Sequence, residues 1–320
     1  MREGNPAIMR VRTEFEDAVE EAFTSVPKSI SPRFFYDEAG SLFFEEITRQ
    51  PEYYLTRSEQ ELLDEFAPQM IEECGTPIEI VELGSGSSKK TRTILEAALS
   101  AGEVTYKPID ISESFLMATA EKLQADYPAL RVEPVVGAYE SALRSLPASG
   151  SRRLFLFLGS SIGNFEPEAA AGLFRSVVSG MKPDDRFLVG FDYVKNLEQL
   201  LPAYDDPAGA TESFNKNILA RINREMGADF DLDDFTHYAP YVPLLERIEM
   251  HLVAKRDLCA DIPALGIKAK FEEGETLHTS CSHKYTDKSI ERLYDESGLK
   301  RTRSWFHRQN RYGLVMAGLK

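Results

Sequence analysis

The chain has 320 residues, 42% of them apolar, enough for a substantial core and for two domains of ordinary size. Its formal net charge of −15 repels phosphate backbones and anionic bilayers alike, which argues against nucleic-acid and membrane partners. Three cysteines (Cys74, Cys259, Cys281) with no C-x-x-C spacing argue against a disulfide framework and for a reducing, cytoplasmic setting.

In chain order, residues 11–24 place Val11, Phe15, Val19 and Phe23 at helical spacing, and the N-terminal stretch has no apolar run of signal-peptide length. The next segment is dense in aromatics, among them Phe34, Phe35, Tyr36, Phe43, Phe44, Tyr53 and Tyr54, and is broken by Pro27, Pro32 and Pro51. It reads as loops and short helices rather than a sheet layer. An alternating pattern then predicts a helix at 58–73, a strand at 78–83, a helix at 89–99 and a strand at 105–110. It continues with a helix from 112, a strand around 132–136, a helix near 141–146 and strands at 153–158 and 186–192 flanking a helix at 167–179. Such alternation implies a parallel sheet covered on both faces.

After Lys195 the alternation stops, and residues 196–245 read as mostly helical. Strands are expected at 247–254, 266–271 and 275–285, then a helix at 287–297. The last two strands, 301–306 and 312–319, are joined by a short polar stretch and should pair antiparallel. A parallel sheet closed by an antiparallel hairpin separates methyltransferase sheets from most dinucleotide-binding ones.

In open sheets of this kind, ligands sit at the C-terminal ends of the strands, beside the switch in strand order. The first alternating strand ends in VELGSGSSKKT, and Asp110 ends the second, 24 residues after Gly86. Gly84 and Gly86 allow a tight turn and close approach of a ligand, and an acid such as Asp110 can accept both hydroxyl hydrogens of a ribose. A nicotinamide dinucleotide would want a third glycine for its pyrophosphate, and Lys89 stands in that place. S-adenosyl-L-methionine has no phosphates and does not need it. An ordinary strand-to-helix turn also accounts for the two glycines. A dehydrogenase and a non-catalytic binding protein remain as other function classes. His278, Cys281 and His283 are close in sequence, but 278 falls on the opposite strand face from the other two, too few ligands for a structural zinc; no metal is expected.

Taken together, the ordered motifs PKSISPRFFYDEAGSLFFEEIT at 27–48, PEYYLTR at 51–57, VELGSGSSKKT at 81–91, FLGSSIGNF at 157–165, AYDDPAGATESFNKN at 203–217, ERIEMHL at 246–252 and HTSCSHKY at 278–285 carry a resemblance over nearly the whole chain. The sequence resembles the histidine-specific, S-adenosylmethionine-dependent methyltransferases of ergothioneine biosynthesis. The resemblance implies an α/β fold: a class I methyltransferase Rossmann-like sheet with an antiparallel C-terminal hairpin, plus a second, substrate-covering domain. It divides the chain into a methyltransferase domain at 57–195 and 284–320 and a cap at 1–56 and 196–283. It implies N-methylation of the α-amino group of a free amino acid, histidine first, by a monomeric enzyme.

By the same resemblance, Tyr36, Gly84, Lys90 and Asp110 would contact S-adenosyl-L-methionine, and Gly86 of the glycine turn and Tyr139 are expected at the same site. Tyr53, Asn164, Tyr204, Met250, Ser280 and Ser282 would contact the amino acid, with Asn164 and Tyr204 on its carboxylate. Two positions depart from the family pattern. Ser280 stands where the family has a Glu that reads the imidazole, which leaves tryptophan, tyrosine or a derivative as other candidate substrates. Gly137-Ala138-Tyr139 lacks the Asp that often accepts from the adenine amino group, a loss of about 1 kcal/mol. No dedicated base is expected; water or Tyr36 would relay the amine's proton.

Overall fold

The computed structural model describes residues 12–320. The expectations for residues 1–11, including Val11 as a helix position, lie outside the described residues. The chain divides into two compact units. One comprises Tyr53–Leu197, Pro243–Arg247 and Ser282–Lys320; the other comprises the described residues through Glu52 together with Glu198–Val242 and Ile248–Cys281.

The first unit holds an eight-stranded sheet. Along its main path the order is Leu299–His307, Tyr312–Leu319, Arg186–Asp192, Arg152–Phe157, Ile78–Leu83, Val104–Asp110 and Arg131–Val132. Ile78–Leu83 pairs parallel on both sides, Ile78 facing Val104 in one neighbour and Arg152 in the other. All six of its residues are buried, as expected of a strand covered on both faces. The chain crosses from one flank of this strand to the other, which makes its C-terminal end the switch point of the sheet. Tyr312–Leu319 runs antiparallel to both neighbours, Tyr312 opposite Asp192 and His307. This is the class I methyltransferase sheet with its closing hairpin. Phe155, Phe157, Phe174, Phe187 and Phe191 are fully buried in its core. The helix read at 58–73 begins earlier and spans Tyr54–Cys74. The strand read around 132–136 is two short strands, Arg131–Val132 and Val135–Val136, because Pro134 between them has no N–H for the ladder.

The second unit opens on Glu14–Thr24, capped by Thr13: its Oγ accepts from Glu16 N at 3.2 Å while the Glu16 carboxylate accepts from Thr13 N at 2.8 Å. Phe15, Val19 and Phe23 form the buried stripe. The aromatic-rich segment folds as the 3₁₀ turn Pro32–Phe35 and the helix Glu38–Arg49, although Lys28–Ser29 before it joins a sheet edge. The helical reading of 196–245 holds for Ala210–Met226 and fails beyond it. Phe235–Tyr238 is a strand whose residues alternate buried and exposed, paired antiparallel with Arg247–Ala254. Its period-2 burial is a strand signal that four residues are too few to announce. The strand Leu258–Ile262, hairpin partner of Ile267–Phe271, has no counterpart in the sequence reading. Among the described residues, no helix is long and apolar enough to cross a membrane.

Candidate active site

At the C-terminal end of Ile78–Leu83 the chain makes a left-handed turn, with φ of +66° at Gly84 and +48° at Gly86. The turn is tied to the neighbouring strand: Gly84 N donates to Ile109 O at 2.9 Å, and Gly86 N donates to Asp110 Oδ2 at 3.2 Å. The other oxygen, Asp110 Oδ1, accepts from Ser112 N at 3.1 Å. Each carboxylate oxygen therefore retains a lone pair for a further donor, while its orientation is fixed by backbone. A Cβ on Gly84 would stand 2.6 Å from the Tyr139 hydroxyl, so only glycine admits that ring. Tyr139 packs edge-on against Phe157 at 5.7 Å.

Beneath the turn, the fully buried Glu82 accepts from Thr91 Oγ1 at 2.6 Å and from the Tyr106 hydroxyl, which also meets Ser88 Oγ at 2.9 Å. Burial pushes the Glu82 carboxyl up to about 7, against the opposing pull of those hydroxyls and of Lys90.

Lys90 is ion-paired with Glu59, whose side chain is wholly buried. Glu59 also accepts from Gly159 N at 2.8 Å and from the Tyr312 hydroxyl at 2.7 Å. One carboxylate thus joins the turns after Ile78–Leu83 and after Arg152–Phe157 to the hairpin strand. It fits because residue 190 lacks a side chain: a Cβ on Gly190 would lie 2.4 Å from both Glu59 Oε1 and the Tyr312 hydroxyl. Ser85 and Ser160, at the heads of these two turns, have buried hydroxyl oxygens with no hydrogen-bond partner among the described residues. Orphaned hydroxyls at a switch point suit a ligand that brings polar atoms. The donor set fits S-adenosyl-L-methionine: Asp110 for a ribose, backbone and hydroxyls for the amino-acid tail, Tyr139 as a flat apolar wall.

Asp192 ends Arg186–Asp192 fully buried between two ammonium groups. Lys284 Nζ lies 2.9 Å from it, Lys195 is paired with it, and Tyr54 donates to it at 2.7 Å. Lys195 also caps the Tyr54 ring at 3.8 Å from its centroid, and burial brings its pKa down to about 8 despite Asp192. Lys284 Nζ donates on to Ser282 Oγ at 2.9 Å. A Cβ on Gly163 would meet Ser282 Oγ at 3.3 Å, so this bare position lets the Ser161–Asn164 turn approach the strand end carrying Ser282. Gly163, directly before Asn164, thereby lies beside Ser282, and buried Tyr53 precedes the helix Tyr54–Cys74.

In the other unit, Tyr36 packs edge-on against Phe44 and Phe214, each at 5.7 Å, and Phe35 lies 4.6 Å from Phe214. Tyr36 is 46% exposed as a residue, and desolvation together with the nearby Tyr204 pushes the phenol up to about 12. It stays neutral at physiological pH. Tyr204 is buried, and its carbonyl meets His237 Nε2 at 2.8 Å. Met250 and Ser280, both buried, sit on adjoining strands stitched by Thr279 Oγ1, which donates to Met250 O at 2.9 Å and to Asn215 Oδ1 at 2.6 Å.

Glu59, Glu82, Asp192, Lys195 and Lys284 were not among the residues singled out from sequence. Their partners lie up to 253 positions away, as for Glu59 and Tyr312. A groove of about 350 Å³ lined by Pro68, Ile71, Gly75 and Ala97 lies at the opposite end of the sheet and takes no part in this constellation.

A family model described as "Histidine-specific methyltransferase, SAM-dependent" matches residues 15–319. A histidine N-alpha-methyltransferase of Mycobacterium tuberculosis (strain CDC 1551 / Oshkosh) is 41% identical over 292 residues, 91% of this chain and 90% of that protein. One from Mycolicibacterium smegmatis is 39% identical over 300 residues, 93% of each chain. The ergothioneine biosynthesis protein 1 of Schizosaccharomyces pombe is 34% identical over 234 residues, 70% of this chain and 30% of that one.

Proposed function

The chain belongs to the histidine-specific, SAM-dependent methyltransferases, and we propose that it methylates the α-amino group of free L-histidine to N,N,N-trimethylhistidine, the hercynine step of ergothioneine biosynthesis. The observation that carries the reading is the glycine turn bonded to Asp110 at the sheet's switch point, in a chain of which 91% and 93% align with two proteins named histidine N-alpha-methyltransferases.

The cofactor supplies a methyl group already activated by a positive sulfur. The protein's part is to position and to exclude water, worth roughly 7–11 kcal/mol when alignment is good. We assign Gly84, Gly86, Lys90, Asp110, Tyr139 and Tyr36 to cofactor contact. Asp110 is supported by its two backbone tethers, which aim its remaining lone pairs, and Lys90 by its fixed pairing with Glu59. For the amino acid we assign Tyr53, Asn164 and Ser282 in the sheet unit, and Tyr204, Met250 and Ser280 in the other. An amide and a phenol suit a carboxylate that must leave water.

The amine attacks through its lone pair and must arrive neutral. No residue is assigned as a dedicated base. Water, or the neutral Tyr36 phenol accepting the amine's proton as it gives its own to solvent, would relay the proton. The ring group Tyr36, Phe44 and Phe214 offers π faces to a growing ammonium.

A mass-spectrometric screen tests the reading: the protein with S-adenosyl-L-methionine and each common amino acid in turn. Histidine gaining three methyls is the expected result. Histidine unchanged while tryptophan or tyrosine gains mass would overturn the substrate and point to Ser280 as the cause; no product from any amine, with the cofactor bound, would overturn the activity.

A further inference from the structure

Three side chains of metal-ligating type converge in the second unit at a place where the methyl-transfer reading assigns nothing. Glu249 and His251 lie two residues apart on Arg247–Ala254, alternating with the buried Ile248, Met250 and Leu252. They therefore project from the sheet face opposite those core residues. His278, on the neighbouring strand Thr276–His283, alternates likewise with the buried Leu277 and Thr279. The His251 and His278 rings are 5.0 Å apart between centroids. One carboxylate oxygen of Glu249 and one ring nitrogen from each histidine lie within 4.8 Å of one another.

We propose that Glu249, His251 and His278 form a binding site for a divalent transition-metal cation, Zn²⁺ fitting best. Ligands at about 2.0–2.2 Å around a tetrahedral zinc lie about 3.3–3.6 Å apart. The Glu249 Oε2 to His251 Nε2 separation is 2.9 Å, so this edge needs only a small opening, and the third ligand a small rotamer movement. Imidazole and carboxylate together suit a borderline cation rather than calcium or magnesium, which prefer oxygen alone. Adjacent paired strands hold the three groups on rigid backbone, which favours a defined geometry. The side chains of Glu249 and His251 are 16% and 14% exposed, shielded yet open to entry from solvent. His278 has an outer partner in Ser29, whose Oγ lies 3.3 Å from Nδ1. His251 Nε2 is within hydrogen-bond reach of Glu249 Oε2, and His251 Nδ1 is buried with no hydrogen-bond partner among the described residues. Three protein ligands leave the fourth position to water. An ion here would staple the strand bearing Met250 to the strand bearing Ser280. The inference does not depend on which amino acid is methylated.

The test is titration of the whole protein, freed of metal by chelation, with Co²⁺ and Zn²⁺. One equivalent of Co²⁺ should give the visible bands of a four-coordinate nitrogen–oxygen site, displaced by Zn²⁺, with a Zn²⁺-dependent rise in melting temperature. His251→Ala should weaken binding by more than the roughly 10–100-fold that loss of an outer partner costs. Glu249→Gln, nearly isosteric and least able to disturb folding, should abolish the thermal shift. The exposed thiol Cys259 is the competing ligand, and Cys259→Ser should leave the titration unchanged. A thiolate charge-transfer band, binding retained in both His251→Ala and Glu249→Gln, or no stoichiometric binding at micromolar protein would each overturn the site.

Discussion

The two units hold their candidate residues by different physics. In the sheet unit the parts are fixed by charge: Asp192 between Lys195 and Lys284, Glu59 on Lys90 and Gly159, Glu82 under the glycine turn. In the other unit they are fixed by ring packing around Phe214 and by a hydrogen-bonded chain of Asn215, His237 and Thr279. Buried charges are unforgiving when one partner goes, whereas packed rings lose a graded amount of contact. The sheet unit should therefore fail abruptly on substitution and the other gradually.

The sharpest break would come at Asp192. Asp192→Ala leaves two ammonium groups buried without that carboxylate and should cost about 3–5 kcal/mol in chemical denaturation. A loss under about 1 kcal/mol would end the claim that charge organises this unit.

Glu82 offers a pH signature of up to a few kcal/mol. Its folded pKa, about 7, lies above its ordinary value of 4.5 because burial dominates. The folded state then binds more protons than the unfolded one between those values, so Glu82 costs the wild type stability as pH rises through that window. Glu82→Gln should lack this slope, and its stability relative to wild type should improve between about pH 4.5 and 7 and then level off. A pH-independent difference would show that the hydroxyls around Glu82 cancel the effect of its burial, and a slope of opposite sign that they outweigh it.

Asp110→Ala should weaken S-adenosyl-L-methionine binding by about 1.5–3 kcal/mol, roughly 10–150-fold by calorimetry, with little change in melting temperature. Unchanged affinity would remove Asp110 from the site. The mildest effects should come from the rings. Phe214→Leu should cost about 0.5–1.5 kcal/mol beyond lost area and act mainly on KM for the amine. Tyr36→Phe keeps the ring and should shift the pH–rate profile only if the hydroxyl carries the proton; an unaltered profile would rule that role out.

The glycine turn and Asp110 were legible in the sequence because they are local. A strand, two glycines and an acid 24 residues on make one stretch of chain, and strand pairing then supplies the Gly86–Asp110 hydrogen bond. The parallel sheet and its closing hairpin were legible for the same reason, through unbroken apolar runs and a short polar link. The charge network was not. Glu59 looks like any acid on an amphipathic helix until Gly159, 100 positions later, is folded against it. Strands of four or five residues, Phe235–Tyr238 and Leu258–Ile262, carry too few alternations to stand out from a helical neighbourhood. The proposed metal triad is hidden for a related reason: Glu249 and His251 lie on the strand next to that of His278, 27 to 29 positions away in sequence.

The missing methyl at Gly190 has a consequence for how the fold can vary. An alanine there would be mild almost anywhere else in a buried strand. Here its single carbon would sit where Glu59 and the Tyr312 hydroxyl now are, 2.4 Å from each. Displacing that carboxylate would release Lys90 and the amide of Gly159 together, so a substitution in the middle of the sheet would be felt at two loops on its rim. Position 190 acts as a keyhole: its emptiness lets an acid from a helix reach through and lock both loops.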